Sequence, residues 1–364
     1  MSISRLLRPR SVAIVGASST PGSLGGGVLA NLDRFRFAGD LHLVNPRYDR
    51  IGERPCVHSI AELPDGIDCA VLAIPNQHVL DSVRACASKG IGGLIVLAGG
   101  FAEMGEQGKR AQEQLAAIAR DSGLALQGPN CLGMINYVDG VPLMFGTAPF
   151  DALNDRTGVA VVSQSGAMAS AVRVALQARG IGVSYSVSTG NEASLCAEDF
   201  LEELIADPHT RVIAMLMEQI RQPARFLDLA SVARKAGKFI VLHHLGRSVA
   251  AREAARTHTG ALSGDYAIMA ANPLDPASRR VAWQGTGAVG PADISADNRG
   301  SSSPTVSQKS SAIPLKAPDS ATIAVPPGER GLFNRISNSG TSINSSRLST
   351  RQTPRATTCA AMMA

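Results

Sequence analysis

Aromatic side chains are scarce in this 364-residue chain: one Trp, four Tyr and nine Phe. Lys and Arg form no dense block, and the net charge of +5 is spread along the sequence. A nucleic-acid surface, which draws on clustered cations and stacking rings, is therefore poorly supported. Long apolar runs are missing too. The longest, Leu94 to Ala98 and Val212 to Met217, fall far short of the ~20 residues that span a bilayer. The opening Met1-Ser-Ile-Ser-Arg lacks the charged-then-apolar order of a signal peptide. The expectation is a cytoplasmic protein without a membrane partner. The six cysteines show no C-x-x-C spacing and sit mostly in apolar segments, so they read as buried reduced thiols, and no metal site is expected. What is abundant is core-forming material: 45% hydrophobic residues and 36 glycines, in a length that suits two to three domains.

Residues 1–150 alternate short apolar runs with helical patterns. Ser11-Val-Ala-Ile-Val15, Leu41 to Val44, Cys69 to Ile74, Gly93 to Leu97 and Leu124 to Leu126 read as strands. Helices are expected at Gly27 to Leu32, Asn76 to Lys89 and Glu106 to Arg120. Uninterrupted apolar strands between helices indicate a parallel sheet covered on both faces, a doubly wound α/β domain. Asp151 to Arg156 reads as a linker, and the same grammar restarts over 157–269. Strands are predicted at Val159 to Val162, Val183 to Val187, Val212 to Met217 and Phe239 to Leu242, making a second three-layer domain. After Met269 the character breaks. Residues 270–364 hold 15 Ser and 9 Pro with no sustained apolar period, and are expected to be disordered. A natural flexible extension and a frameshifted or truncated gene product both fit that break.

Gly16-Ala-Ser-Ser-Thr-Pro-Gly22-Ser-Leu-Gly25 follows the first strand and opens the first helix. Glycines there let backbone approach a phosphate, which meets free N–H groups at a helix N-terminus. The same glycines would also serve a turn that only packs helix on strand. The second strand ends Val44-Asn45-Pro46-Arg47, without the carboxylate that NAD domains place there for the ribose hydroxyls. A nearby cation suits a ligand with an extra ribose phosphate, and NADP and coenzyme A both qualify.

Ordered motifs then carry a resemblance. Ser11 to Ser18 with Pro21-Gly22, Asn45-Pro46-Arg47, Ala73-Ile-Pro75, Ala98-Gly-Gly-Phe-Ala-Glu103 and Gly128-Pro-Asn-Cys-Leu-Gly133 are the first of them. Ser163-Gln-Ser-Gly166, Thr189-Gly-Asn191 and Thr257-His-Thr-Gly-Ala-Leu-Ser-Gly264 complete the set. From about Leu6 to Asp265 the chain resembles the α portion of NDP-forming acyl-CoA synthetases, relatives of the succinyl-CoA synthetase α subunit. The resemblance implies a CoA-binding Rossmann-like domain followed by a flavodoxin-like ligase domain. Gly16, Ser18, Pro21 and Gly22 would line the CoA phosphate site, Asn45, Arg47 and Pro75 the nucleotide end, and Asn130 the thiol end.

His258 lies among small residues that leave an imidazole accessible. On its own it reads as a surface-loop histidine, but the resemblance matches it to the loop histidine that is transiently phosphorylated. A neutral imidazole is a good nucleophile near pH 7, and phosphohistidine transfers its group in either direction. Ser163, Ser165 and Gly166 open a helix directly after a strand, so N–H groups and the helix dipole point toward an anion. Simple capping by either serine is the alternative. Glu218 ends the apolar strand at Met217, and the resemblance gives it the part of orienting and stabilising the phosphorylated imidazole.

The implied reaction is acid plus CoA plus ATP giving acyl-CoA, ADP and phosphate. ATP/ADP and Mg would be held by an ATP-grasp partner, since no such segment follows Asp265, and an oligomer is expected. Leu242-His-His-Leu precedes Gly246-Arg-Ser248 where the family commonly has Lys. The rival readings are a CoA-sensing regulatory module, a NADP-dependent reductase and an inactive truncated fragment.

Overall fold

The computed structural model describes residues 3–151, 153 and 156–244, with the backbone alone of 281–284. A short helix, Ser4–Leu7 (α1), leads into Ser11–Val15 (β1), whose Val12, Ala13 and Ile14 are fully buried. Full burial of consecutive residues is what a parallel strand covered on both faces requires. Leu24–Phe35 (α2) follows, then Asp40–Val44 (β2), Arg50–Ile51 (β3), Arg54–Val57 (β4) and Cys69–Leu72 (β5). Val79–Ser88 (α3), Gly93–Val96 (β6), Glu106–Ser122 (α4) and Ala125–Gln127 (β7) complete the set. The sheet order is β3-β4-β2-β1-β5-β6-β7, parallel throughout except between β3 and β4. Without β3 this is the order of Rossmann-type sheets, with the switch point where β1 meets β5.

The second sheet contains Gly133–Asn136 (β8), Val141–Met144 (β9), Gly158–Ser163 (β10), Val183–Ser188 (β11), Thr210–Met217 (β12) and Phe239–His244 (β13). Its helices are Gly166–Gln177 (α5), Ala197–Ala206 (α6) and Pro223–Lys235 (α7). With Val281–Gln284 (β14) the order is β14-β13-β12-β10-β11-β8-β9. From β11 to β14 the order is that of flavodoxin-like sheets, and the switch point lies at β10. The two α/β layers expected from the sequence are therefore present, in the expected order.

Two boundaries differ. The hairpin β8–β9, inside the 1–150 expected for the first domain, pairs antiparallel with β11 and belongs to the second sheet. It covers the open edge of β11, which a flavodoxin-like core would otherwise leave unpaired. Buried Asn136 braces that hairpin, with its side chain donating to Leu7 O at 3.0 Å. Also, Val281–Gln284 pairs parallel with β13, although it lies within the 270–364 segment expected to be disordered. Its Val-Ala-Trp run is short, which is why composition over a long window hides it. Cys56, Cys69, Cys86, Cys131 and Cys196 are buried free thiols, and burial pushes Cys86 and Cys131 up to about 12. Among the described residues no helix is long and apolar enough to cross a membrane.

Candidate functional site

At the first switch point the β1 turn is held tightly. Gly16 has φ +87°, and a Cβ on it would stand 2.4 Å from Ala73 O, at the end of neighbouring β5. Asn45 donates from Nδ2 to Ala17 O at 2.8 Å and accepts from Arg47 N–H at 3.0 Å, fixing the β2 end beside the turn. Ser18 accepts from Thr20 N–H, and Ser23 caps α2 by accepting from Gly26 N–H at 3.2 Å. These contacts are packing and turn chemistry. Gly22 is different: its φ is +81°, and a Cβ there would meet nothing within 4 Å. Pro21 and Gly22, just before α2, are exposed, as are Arg47 after β2 and Pro75 after β5, so the open side of Gly22 leaves room for a phosphate near a helix N-terminus whose dipole favours one. The residues fit a phosphorylated nucleotide ligand.

At the second switch point the loops after β10, β11 and β12 converge. Ser165 is the N-cap of α5, and Gly166 is its first residue. Ser163 is fully buried and accepts from Ser165 N–H at 3.1 Å, so its hydroxyl braces the turn from within. Gln164 ties this turn to the end of β12. Its Oε1 accepts from Glu218 N–H at 2.7 Å and Gln219 N–H at 2.9 Å, while Nε2 donates to Gln219 O at 2.7 Å. Glu218 is thereby held buried beside the Ser163–Gly166 turn. His258 lies outside the described residues.

Behind the loops sits Glu192, at φ +56° and 7% exposed. Its Oε1 accepts from Thr189 Oγ1 at 2.8 Å and Ala197 N–H at 3.1 Å. Its Oε2 accepts from Gln164 Nε2 at 2.9 Å and Arg221 Nε at 3.3 Å. Burial raises this carboxyl to about 7 against the lowering by Arg221, Gln164 and Thr189. Because the folded state keeps the proton that the unfolded chain loses near 4.5, this group's contribution to stability is fully present below that pH and is lost as pH rises to about 7. The loss attributable to this group is on the order of 3 kcal/mol. Chemical denaturation at pH 4.5 and 7.5 should show a steeper decline in the native chain than in Glu192→Gln; parallel declines would contradict it.

A polar chain joins the β6 and β7 ends of the first sheet to the loop after β11. Asn130, at φ +56° after a cis Gly128–Pro129 bond, donates from Nδ2 to Asn191 Oδ1 at 3.2 Å. Asn191 Nδ2 in turn donates to Glu103 Oε2 at 2.5 Å and Gln112 Oε1 at 2.9 Å. Glu103 also accepts from Gly100 N–H. The segment after β11 runs along the β7 end, with Asn191 N–H on Pro129 O and Ala193 N–H on Gly128 O, both at 2.9 Å. Asn130 is thus the one residue of the expected first-domain set that touches the second crevice. Gln164, Glu192 and Arg221 were not singled out by sequence reasoning. The first two stand inside or next to the motifs Ser163-Gln-Ser-Gly166 and Thr189-Gly-Asn191, but the left-handed backbone at 192 leaves no trace in composition.

Two family models match the chain: a CoA binding domain over residues 10–137 and a succinyl-CoA ligase like flavodoxin domain over residues 156–272. A trans-feruloyl-CoA synthase from an unknown prokaryotic organism is 49% identical over 268 residues, 73% of this chain and 38% of that protein. The α subunit of acetate–CoA ligase (ADP-forming) I from Pyrococcus furiosus is 34% identical over 275 residues, 74% of this chain and 58% of that subunit. Among solved structures, the acetyl-coenzyme A synthetase 1 of Ca. Korarchaeum cryptofilum in complex with phosphate and ADP superposes with TM-score 0.69 at 33% identity. That match covers 74% of this chain and 57% of the other. The chain spans between 38% and 58% of the length of these relatives.

Proposed function

Residues 10–272 belong to the α-subunit region of the ADP-forming acyl-CoA ligases, and on that basis we propose that the chain binds CoA and carries phosphate on His258 during acyl-CoA synthesis. The observation that carries the reading is that the described motifs follow β1, β2, β5, β6 and β7 in the first sheet and β10 and β11 in the second, with Asn130 and Asn191 bonded between the two sets. CoA, as substrate, supplies the thiol that accepts the acyl group. Gly22 and the α2 N-terminus face its phosphates, with Gly16 and Ser18 shaping the turn and Asn45 and Pro75 flanking the nucleotide end. Arg47 meets the ribose phosphate, and Asn130 lies toward the thiol.

The imidazole of His258 attacks the phosphorus of an acyl phosphate. The P–O bond to the acyl group breaks, and the carboxylate leaves. Ser165 Oγ and the N–H groups of the first α5 turn stabilise the transferring charge, and Glu218 orients the ring. The phosphoryl group then passes to ADP on an ATP-grasp β-type partner with its Mg, a step that runs in reverse during synthesis.

Calorimetric titration tests the first half. CoA should bind about tenfold more tightly than dephospho-CoA, because a guanidinium–phosphate contact contributes about 1.5–3 kcal/mol. Arg47→Ala should erase the difference, while tighter binding of NADP than of CoA would overturn the assignment.

A further inference from the structure

Glu192 takes part in no step of that mechanism, yet its carboxylate accepts four hydrogen bonds at the second crevice. Its four donors come from four separate places: Gln164 after β10, Thr189 after β11, Arg221 after β12 and the Ala197 N–H of α6. Arg221 also donates from Nη2 to Asn191 O at 2.9 Å, which anchors it independently. Gln164 is the only side chain in this set that reaches both Glu192 and the backbone of Glu218. We propose that Glu192 is a positioning residue: by fixing Gln164 it sets the separation between the Ser163–Gly166 turn and Glu218. The proposal rests on the reading that those two elements flank the phosphorylated histidine.

The charged groups facing Glu192 are Arg221, whose cation favours the carboxylate, and Glu198 of α6, whose like charge opposes it. Ionised, Glu192 accepts all four bonds. Protonated, it can pass its proton only to Thr189, whose hydroxyl turns its own hydrogen to Ser163 O, while the Gln164 and Arg221 N–H groups bond the neutral acid more weakly than the carboxylate. The crevice therefore tightens as pH rises through about 7, in the same window where the contribution of Glu192 to global stability is lost. A purely structural carboxylate would move local order and global stability in the same direction. Here the two have opposite signs.

The test is amide hydrogen exchange of the full chain, read at Glu218 and Gln219, whose N–H groups donate to Gln164 Oε1. After correction for intrinsic rates, protection at these two amides should rise about tenfold between pH 6 and 8. In Glu192→Gln it should be flat and about tenfold lower at pH 8, with Val12 to Val15 in β1 unchanged. Should that variant fail to fold, the native profile alone decides, and a flat one overturns the proposal. Equal protection in both proteins overturns it as well. Phosphate labelling of the native chain is scored separately. Its absence would sink the phosphohistidine reading, while the exchange profile would still decide the role of Glu192.

Discussion

Replacing His258 by alanine should abolish acid-labile phosphate on the protein. The label is introduced by incubating the full chain with an acyl-CoA and radiolabelled inorganic phosphate, which generates acyl phosphate and free CoA thiol. The only acceptor the account allows is the His258 nitrogen, so the loss should be complete rather than graded. CoA binding should stay within about twofold, because none of the residues proposed to hold CoA is altered. Glu218→Gln should keep the fold but cut the labelling rate by about tenfold or more, in the range typical of positioned acid–base and electrostatic partners. Glu218 is already anchored through its backbone N–H to Gln164, so the substitution changes charge with little displacement. Label persisting in His258→Ala would place the phosphate elsewhere and refute the mechanism.

The second large effect is expected at Gly25. A Cβ there would stand 2.0 Å from Gly16 O, a backbone atom with no rotamer to yield. Gly25→Ala must push α2 away from the β1 turn, costing about 2–3 kcal/mol in denaturant-unfolding experiments, as overpacked sites do. It should also weaken CoA by at least tenfold, since the α2 N-terminus moves off the phosphate. Gly22→Ala is the matched control. Its surroundings are open, so only its positive φ is penalised, by about 1–2 kcal/mol. A Gly25→Ala protein as stable as the native chain would mean that the helix is not packed on the turn as described.

These glycines show what could be read in the sequence and what could not. Apolar runs placed β1, β5, β6, β10 and β12 within two residues, because buried parallel strands leave no polar alternation to confuse them. The two-residue β3 and the four-residue β4, β8 and β9 escaped, since Pro55, Gly133, Asn136 and Pro142 put turn signals inside their apolar patterns. At the site, Gly16 and Gly22 looked alike in the sequence, yet one is pressed on Ala73 and the other faces open space. Only three-dimensional packing separates a glycine that joins helix to strand from one that leaves room for a ligand. Glu192 and Gln164 were invisible for a related reason: polar residues beside a turn read as solvated, and only the convergence of three strand ends buries them.

The proposal that this chain supplies the CoA-binding and phosphate-carrying part of an ADP-forming ligase is tested most directly by reconstitution. The purified chain is mixed with the ATP-grasp β subunit of an ADP-forming acetate–CoA ligase, a carboxylic acid, CoA, Mg and ATP, and products are quantified over time. The account predicts acyl-CoA and ADP in equal amounts from the mixture, and neither from the chain alone or from a mixture carrying His258→Ala. Acyl-CoA formed from ATP by the isolated chain, or AMP appearing in place of ADP, would contradict it.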